Sequence, residues 1–411
     1  LNKKYLTAVN LRFFYVPYFC RNTIALGTPV SITSIATFSP LGNNSKTVWQ
    51  NYLQAEPLIQ NKLIAKAAAP VAALPDALQE EVGQLRTTDI KYKHLDDSVL
   101  YAIIASRSAV KMAGWGTGDN FGINIGSSRG ATQLFEQHYQ SFIEHGKAAV
   151  QASPSTTLGN ISSWVAHDLQ SSGPEISHSI TCSTALHALL NGVAWLRAGM
   201  ADKFLVGGSE APLTPFTIAQ MKAMKIYAPA SAEKYLSRAL DLDKKINLMV
   251  LGEGAGAACL ELGIKDNALA VIEGLGYATE VLQHSVSLSA EAECLQKSMA
   301  MALRDTNPAE VDAIVMHAPG TIKGDAAEYA AIQKAFGHNL PLLTTNKWKV
   351  GHTFGASGLL SLEMAVLMLQ HNHFIDVPFL KLQSQNRDLR KILINAVGFG
   401  GNAVSVLISK P

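Results

Sequence analysis

Ser177-His178-Ser179-Ile180-Thr181-Cys182-Ser183-Thr184-Ala185-Leu186-His187-Ala188-Leu189-Leu190 is the stretch that decides the fold. A short β-like run ends at Cys182, and an apolar helical pattern begins directly after it. A thiol at a strand-to-helix junction faces unpaired backbone N–H groups and the positive end of the helix dipole. Both favour thiolate, the nucleophilic form. The competing reading is a small buried core residue, the commoner fate of a lone cysteine.

Two histidine segments downstream bear on that choice. Ile314-Val315-Met316-His317 is an apolar run followed by the turn Ala318-Pro319-Gly320. Gly351-His352 opens a helical stretch rich in small residues, Gly355-Ala356-Ser357-Gly358. Each histidine falls at an element end beside glycine, where backbone can approach a ligand closely. One such histidine is ordinarily structural. Two of them together with a cysteine at the same kind of junction point to a catalytic group.

The chain has 411 residues, too many for one ordinary core, so two halves are expected. Hydrophobic residues make up 48% and charged residues 16%, the balance of a large, well-buried enzyme with subunit contacts. A net charge of +2 offers no field for nucleic acid or an anionic membrane. Cys20, Cys182, Cys259 and Cys294 form no Cys-x-x-Cys and no zinc spacing. So few scattered thiols suggest a reducing, cytoplasmic setting. No apolar run is long enough to span a bilayer. Residues 1–28 loosely resemble a signal peptide, but Asn10 and Arg12 interrupt the apolar stretch; they are read as an extension of unknown role.

Strand and helix patterns alternate along the rest. Pro29 to Phe38 reads as the first strand, Phe121 to Gly126 and Phe204 to Glu210 as further strands, and Ser98 to Ala113 and Ser162 to Leu169 as helices. Residues 45–95 are polar and mixed and read as an insertion or cap. Gly252 to Glu261 reads as a Gly/Ala-rich turn and then a strand. Its G-x-G-x-G lacks the strand-before, helix-after setting of a dinucleotide site, and no P-loop motif occurs. Asp266-Asn267 marks a boundary. Beyond it come strands at Ala268 to Leu275, Ala313 to Met316, Ile392 to Val397 and Ala403 to Ile408. Helices are expected around Ala290 to Arg304 and Gly358 to Leu369. The halves, 29–266 and 267–411, share a crude plan: a β-run, a functional residue at a junction, then a small-residue helix. That is a faint internal duplication in an α/β protein.

The ordered motifs resemble those of the β-ketoacyl-acyl-carrier-protein synthases of the thiolase superfamily, in the elongating branch with a Cys-His-His site. They are the cysteine before its helix, Gly207-Gly208-Ser209-Glu210, and Leu251-Gly252-Glu253-Gly254-Ala255-Gly256. They continue with His317…Gly320-Thr321…Gly324-Asp325…Glu328, Asn346-Lys347…Gly351-His352-x-x-Gly355-Ala356-x-Gly358, and Gly398-Phe399-Gly400-Gly401-Asn402. The likeness covers roughly residues 30–411.

The resemblance implies a thiolase-like fold, a duplicated five-layer αβαβα architecture with two mixed sheets, in a dimer. It implies that Cys182 takes an acyl group and that His317 and His352 serve the decarboxylation of a malonyl-type extender. The Cys182 and Phe399 N–H groups would form the oxyanion hole, with Phe399 also the gate. Thr321 would bind the pantetheine arm. Lys347, Asp325 and Glu328 would form a charged network around His317, or else a purely structural ion-pair cluster. No metal and no permanently bound cofactor is implied; the phosphopantetheine arm of an acyl carrier protein brings the substrate. A heterodimer with a chain-length-factor-like subunit is an alternative assembly, and a non-catalytic subunit of that kind the alternative function.

Degradative thiolases carry a second cysteine where this chain has Gly398-Phe399-Gly400-Gly401, and Cys-His-Asn enzymes carry asparagine where it has His352. The chain also departs from its own branch. Pro319 stands where a first threonine is usual, and the segment Arg238 to Asn247 differs from its usual form. Ser361 stands where a glutamate is usual, with Glu363 two residues on. These departures suggest a divergent paralogue of the aryl-polyene or flexirubin type.

Overall fold

The computed structural model describes residues 28–64, 67–116, 118–158, 160–281, 288–381 and 388–411. All of the 1–28 extension except Thr28 therefore lies outside the described residues, as does Cys20.

The first half begins with β1 (Val30–Phe38), α1 (Ser45–Leu53), β2 (Gln60–Ile64), β3 (Ala67–Ala72), α2 (Asp76–Thr88) and α3 (Asp97–Ala113). It continues with β4 (Gly122–Gly126), α4 (Thr132–His145), α5 (Ala152–Thr156), α6 (Asn160–Leu169), β5 (Glu175–Ile176) and α7 (Thr184–Arg197). It closes with β6 (Lys203–Glu210), α8 (Pro215–Ala223), β7 (Leu251–Gly252) and β8 (Gly254–Leu262). The second half runs β9 (Ala270–Thr279), α9 (Glu293–Ala302), β10 (Ala313–Val315), α10 (Ile322–Phe336) and β11 (Leu342–Thr344). It ends with α11 (Lys347–Val350), α12 (Ser357–His371), β12 (Lys391–Gly398) and β13 (Asn402–Ser409).

Two five-stranded sheets carry the fold, in the orders β5-β4-β6-β8-β1 and β11-β10-β12-β13-β9. In both, the first two pairings are parallel and the last two antiparallel. Numbered within its half, each sheet reads 3-2-4-5-1. The duplication that the sequence only hints at is thus complete at the level of topology. β9, β10, β11, β12 and β13 are the counterparts of β1, β4, β5, β6 and β8.

Helix composition explains the layering. Every residue of α12 from Ser357 to Leu369 is buried, so this helix has no solvent face and must lie between two apolar surfaces. It packs with α7 between the sheets, and their side chains join both inner faces in one cluster that includes Leu186, Leu189, Leu359 and Leu362. Glycine makes the close approach possible: a Cβ on Gly256 of β8 would stand 2.6 Å from Leu359 Cβ. α3 and α6 cover the outer face of the first sheet, and α9 and α10 that of the second. The result is five layers, αβαβα.

Local readings differ in three places. Ser177 to Cys182 is not a regular strand: β5 ends at Ile176, and the chain bends through Thr181 at φ +46°. Hydroxyls replace the ladder there, with the Ile180 N–H donating to Thr184 Oγ1 at 2.9 Å. Gly252 and Gly254 to Gly256 lie in β7 and β8, parted at Glu253, rather than in a turn, and Gly256 lets α12 come close. Residues 45–95 are more than a polar cap. β3 pairs with β2 on one side and β7 on the other in a third, three-stranded sheet, and Val48, Tyr52, Val71, Leu74 and Leu78 are buried.

Glu363 faces Thr37, whose hydroxyl donates to its Oε2 at 2.6 Å inside the central layer. Burial pushes this carboxyl up to about 7, against the pull of Thr37. An unfolded glutamate titrates near ~4.3. The folded form therefore binds the proton more tightly, and stability falls as pH rises from ~4.3 through 7, then levels. Glu363→Gln is expected to match the parent near pH 4 and to exceed it by ~3 kcal/mol at pH 8. Urea unfolding of both proteins at the two pH values checks this; equal stability at pH 8 would count against it.

Candidate active site

The duplication gathers equivalent loop ends at one place. α7 and α12 occupy the same crossover, from third to fourth strand of their halves, so Cys182 and His352 are counterparts. His317 follows the second strand of its half and Phe399 the fourth. The structure brings Cys182, His317 and His352 together: the sulfur and the nearest ring nitrogens all lie within 4.8 Å of one another. The imidazoles stand edge to face, 5.1 Å between centroids at 88°. All three residues are buried, at 5%, 4% and 2% exposure.

Strained backbone marks each arm. Thr181, Ala318 and Phe354 take positive φ without being glycine, at +46°, +26° and +41°. Such conformations persist where surrounding contacts over-determine them, commonly at functional sites. Those contacts are visible. Thr181 Oγ1 donates to the Phe399 carbonyl at 3.1 Å, tying the cysteine turn to the Gly398–Gly401 loop. Glu328 accepts the His317 N–H at 2.9 Å and the Ala318 N–H at 2.7 Å, and Asn395 Nδ2 steadies it at 3.2 Å. The His352 N–H donates to Val250 O at 2.7 Å, and its carbonyl accepts from Gly252 N.

Electrostatics depart from the junction argument. Burial pushes the Cys182 thiol up to about 12, and Glu210 pushes the same way. Lys347, Arg129 and the Phe399 N–H pull it back without overcoming desolvation. The resting sulfur is a neutral thiol. Burial and the Lys347 ammonium hold both histidines well below the usual imidazole range, so each ring is neutral. A neutral imidazole offers one N–H and one lone pair. Nδ1 of each ring is buried without a hydrogen-bond partner.

Lys347 is itself 1% exposed, and burial lowers its ammonium while Glu328 supports its charge. A sulfur and two imidazole nitrogens are donors that suit zinc. Lys347 beside them makes this a poor place for a dication, because it adds like charge in a desolvated pocket.

Asp325 lies one step away. It pairs with buried Lys244 at 2.7 Å and accepts the N–H groups of Gly320 and Leu240 at 2.9 and 2.8 Å. It braces the loop after His317, and its ion pair is with Lys244, not Lys347. Thr321 caps α10, its Oγ1 accepting from Gly324 N at 3.2 Å, so its O–H remains free to donate outward.

Sequence reasoning gave no role to Glu210, Arg129, Lys244 or Asn395. The signal for the first two is the internal repeat. Arg129 follows β4 as His317 follows β10, and Glu210 ends β6 where Phe399 follows β12.

Fold and site together define a condensing enzyme of the thiolase-like class. Residues 27–263 match the family described as beta-ketoacyl synthase, N-terminal domain, and residues 269–378 the beta-ketoacyl synthase C-terminal domain. The chain belongs to the β-ketoacyl synthases, and it is an acyltransferase-type enzyme. It is 26% identical to the 3-oxoacyl-[acyl-carrier-protein] synthase 2 of Coxiella burnetii, over 93% of this chain and 98% of that one. In fold it is similar to the ishigamide ketosynthase/chain length factor, with a TM-score of 0.82 at 20% identity, covering 93% of this chain and 99% of that one. It is also similar to AntDE:AntF, a type II polyketide ketosynthase bound to its acyl-carrier protein. There the TM-score is 0.80 at 18% identity, with 94% of this chain and 100% of that one covered. No helix among the described residues is long and apolar enough to cross a membrane.

Proposed function

We propose that the chain is a 3-oxoacyl-[acyl-carrier-protein] synthase, with Cys182, His317 and His352 as its catalytic residues. The observation that carries this is the buried convergence of one thiol with two neutral imidazoles. As Sγ attacks the acyl thioester, its proton passes to the adjacent imidazole lone pair. The N–H groups of Cys182 and Phe399 hold the oxyanion. The departing pantetheine thiolate takes the proton back. A malonyl-type extender then enters on its carrier. The imidazole N–H groups hold its thioester oxygen as CO₂ leaves and negative charge builds there. The carbanion attacks the acyl-cysteine, the Cys182 thiolate leaves and takes up a proton from solvent, and the 3-oxoacyl product leaves on the carrier.

Glu328 would keep the His317 loop in register, Lys347 would keep both rings neutral, and Asp325 would brace the entrance. Thr321 would donate to the pantetheine arm. The pathway is fatty-acid or polyene/polyketide-type elongation in the cytoplasm. Pro319 and Ser361 favour a pigment-type branch, aryl polyene or flexirubin. Residues 29–266 and 267–411 act as the two halves. A dimer, either of two copies or with a chain-length-factor-like subunit, suits α4, whose Phe135, Tyr139, Phe142 and Ile143 are exposed along one face.

Intact-mass measurement after incubation with acyl-loaded carrier protein tests the proposal. One acyl group is expected on the protein, and added malonyl carrier should discharge it as 3-oxoacyl product. No adduct with any acyl chain would overturn it.

A further inference from the structure

The duplicated topology predicts that the loops after β4 and β6 reach the same place as those carrying His317 and Phe399, and they do. The guanidinium of Arg129 lies 5.7 Å from the centre of the Phe354 ring, whose centroid stands 5.4 Å from that of His352. Phe354 and Cys182 share one apolar cluster with Ile218, Met221 and Leu251. Arg129 and Glu210 both act on the charge of Cys182. Two charged-type side chains thus lie near the nucleophile, next to the apolar cluster that holds Phe354 and Cys182.

Both have spare hydrogen-bonding capacity. One Nη of Arg129 donates to Gln220 Oε1, while its Nε is buried without a partner. Glu210 is 0% exposed. Its Oε1 accepts the N–H groups of Ser128 and Gly355, the latter at 3.1 Å, and the Ser127 hydroxyl lies alongside. Its Oε2 is buried with no hydrogen bond. Burial pushes this carboxyl up to about 8. Arg129 Nε is therefore an unused donor, held near the buried Glu210 carboxyl. Buried donors left unpaired are costly, and a ligand that pairs them is favoured over one that cannot.

We infer that Arg129, with Glu210, reads the acyl group on Cys182 and selects chains carrying an oxygen acceptor, such as a ketone, within their first few carbons. This rests on the proposed condensing function and names its donor substrate class. The extender is not the partner. A guanidinium on the malonyl carboxylate would stabilise the ground state and oppose loss of CO₂.

The test is acylation of Cys182, followed by intact mass, with a hexanoyl thioester against an oxohexanoyl thioester of equal length carrying a ketone. The parent protein is expected to take the ketone-bearing chain at least about tenfold faster. Arg129→Met should remove or reverse that preference, and Arg129→Lys, which keeps the charge but not Nε, should restore only part of it. Circular dichroism and thermal unfolding should match the parent in both variants, reporting intact folding. Equal rates for the two chains in the parent, or an unchanged ratio in Arg129→Met, would overturn the inference while leaving the condensing function standing. Absence of any adduct from either chain would instead overturn the condensing function, and this inference with it.

Discussion

Cys182→Ala is expected to lower condensation by roughly 10⁴–10⁶-fold, the usual loss when a covalent nucleophile is removed. The thiol is the group positioned to carry the acyl chain, because Cys259 and Cys294 are buried in other clusters. Decarboxylation of the malonyl carrier needs the imidazoles rather than the sulfur, so the variant should still release CO₂ within about tenfold of the parent rate. Stability should fall little, since the change removes one small atom from a 5% exposed position. Labelled 3-oxoacyl product and CO₂, counted in the same assay, separate the two steps. Condensation that survives the substitution would mean that the chain serves as a structural subunit.

His317→Ala and His352→Ala should have the opposite signature. Each removes one of two fixed donors for the extender's thioester oxygen, a loss of about 10²–10³-fold in decarboxylation. Acyl-Cys182 should still form in both, more slowly where the lost ring is the one that takes the thiol proton, and should persist as a mass adduct in the presence of malonyl carrier. The double variant should lose less than the product of the single losses, because the two rings act on one oxygen. Both rings are held far below the ordinary imidazole range by burial and Lys347. Their N–H donation should therefore be insensitive to pH across the neutral range. A pH profile with a break near 6.5 that vanishes in either variant would contradict this assignment.

The trio proposed as catalytic was legible in the chain because each member sits where a local pattern ends. Cys182 precedes a helical repeat, His317 follows an apolar strand, and His352 sits between glycine and a small-residue helix. The same locality misled at Ser177 to Cys182, where alternation suggested a strand but hydroxyls of Thr184 and its neighbours take over the backbone partners. It also misled at Gly252 to Gly256, where the chain runs as strand on either side of Glu253 and Gly256 serves the approach of α12.

Arg129 had no local mark of function, and Glu210 stood only as the end of the Gly207–Glu210 motif, with no role given it. An arginine after Gly126-Ser127-Ser128 looks like an ordinary loop residue until β4 is matched to β10. Asp325 differs: the resemblance placed it with Lys347 and Glu328 in one charged network around His317, and in the structure Lys244, 81 residues away, takes its ion pair while Lys347 stays within electrostatic reach.

The sequence by itself determined the α/β class, the ordered elements and the three residues that meet in the pocket, because periodicity and turn chemistry act over a few residues. Only the tertiary structure decided their electrostatics and their company. A pKa depends on how much water the whole fold removes, and desolvation turned an expected thiolate at Cys182 into a neutral thiol. Which loops share a pocket depends on two repeated sheets stacking about α7 and α12, a long-range packing that no short window of residues encodes.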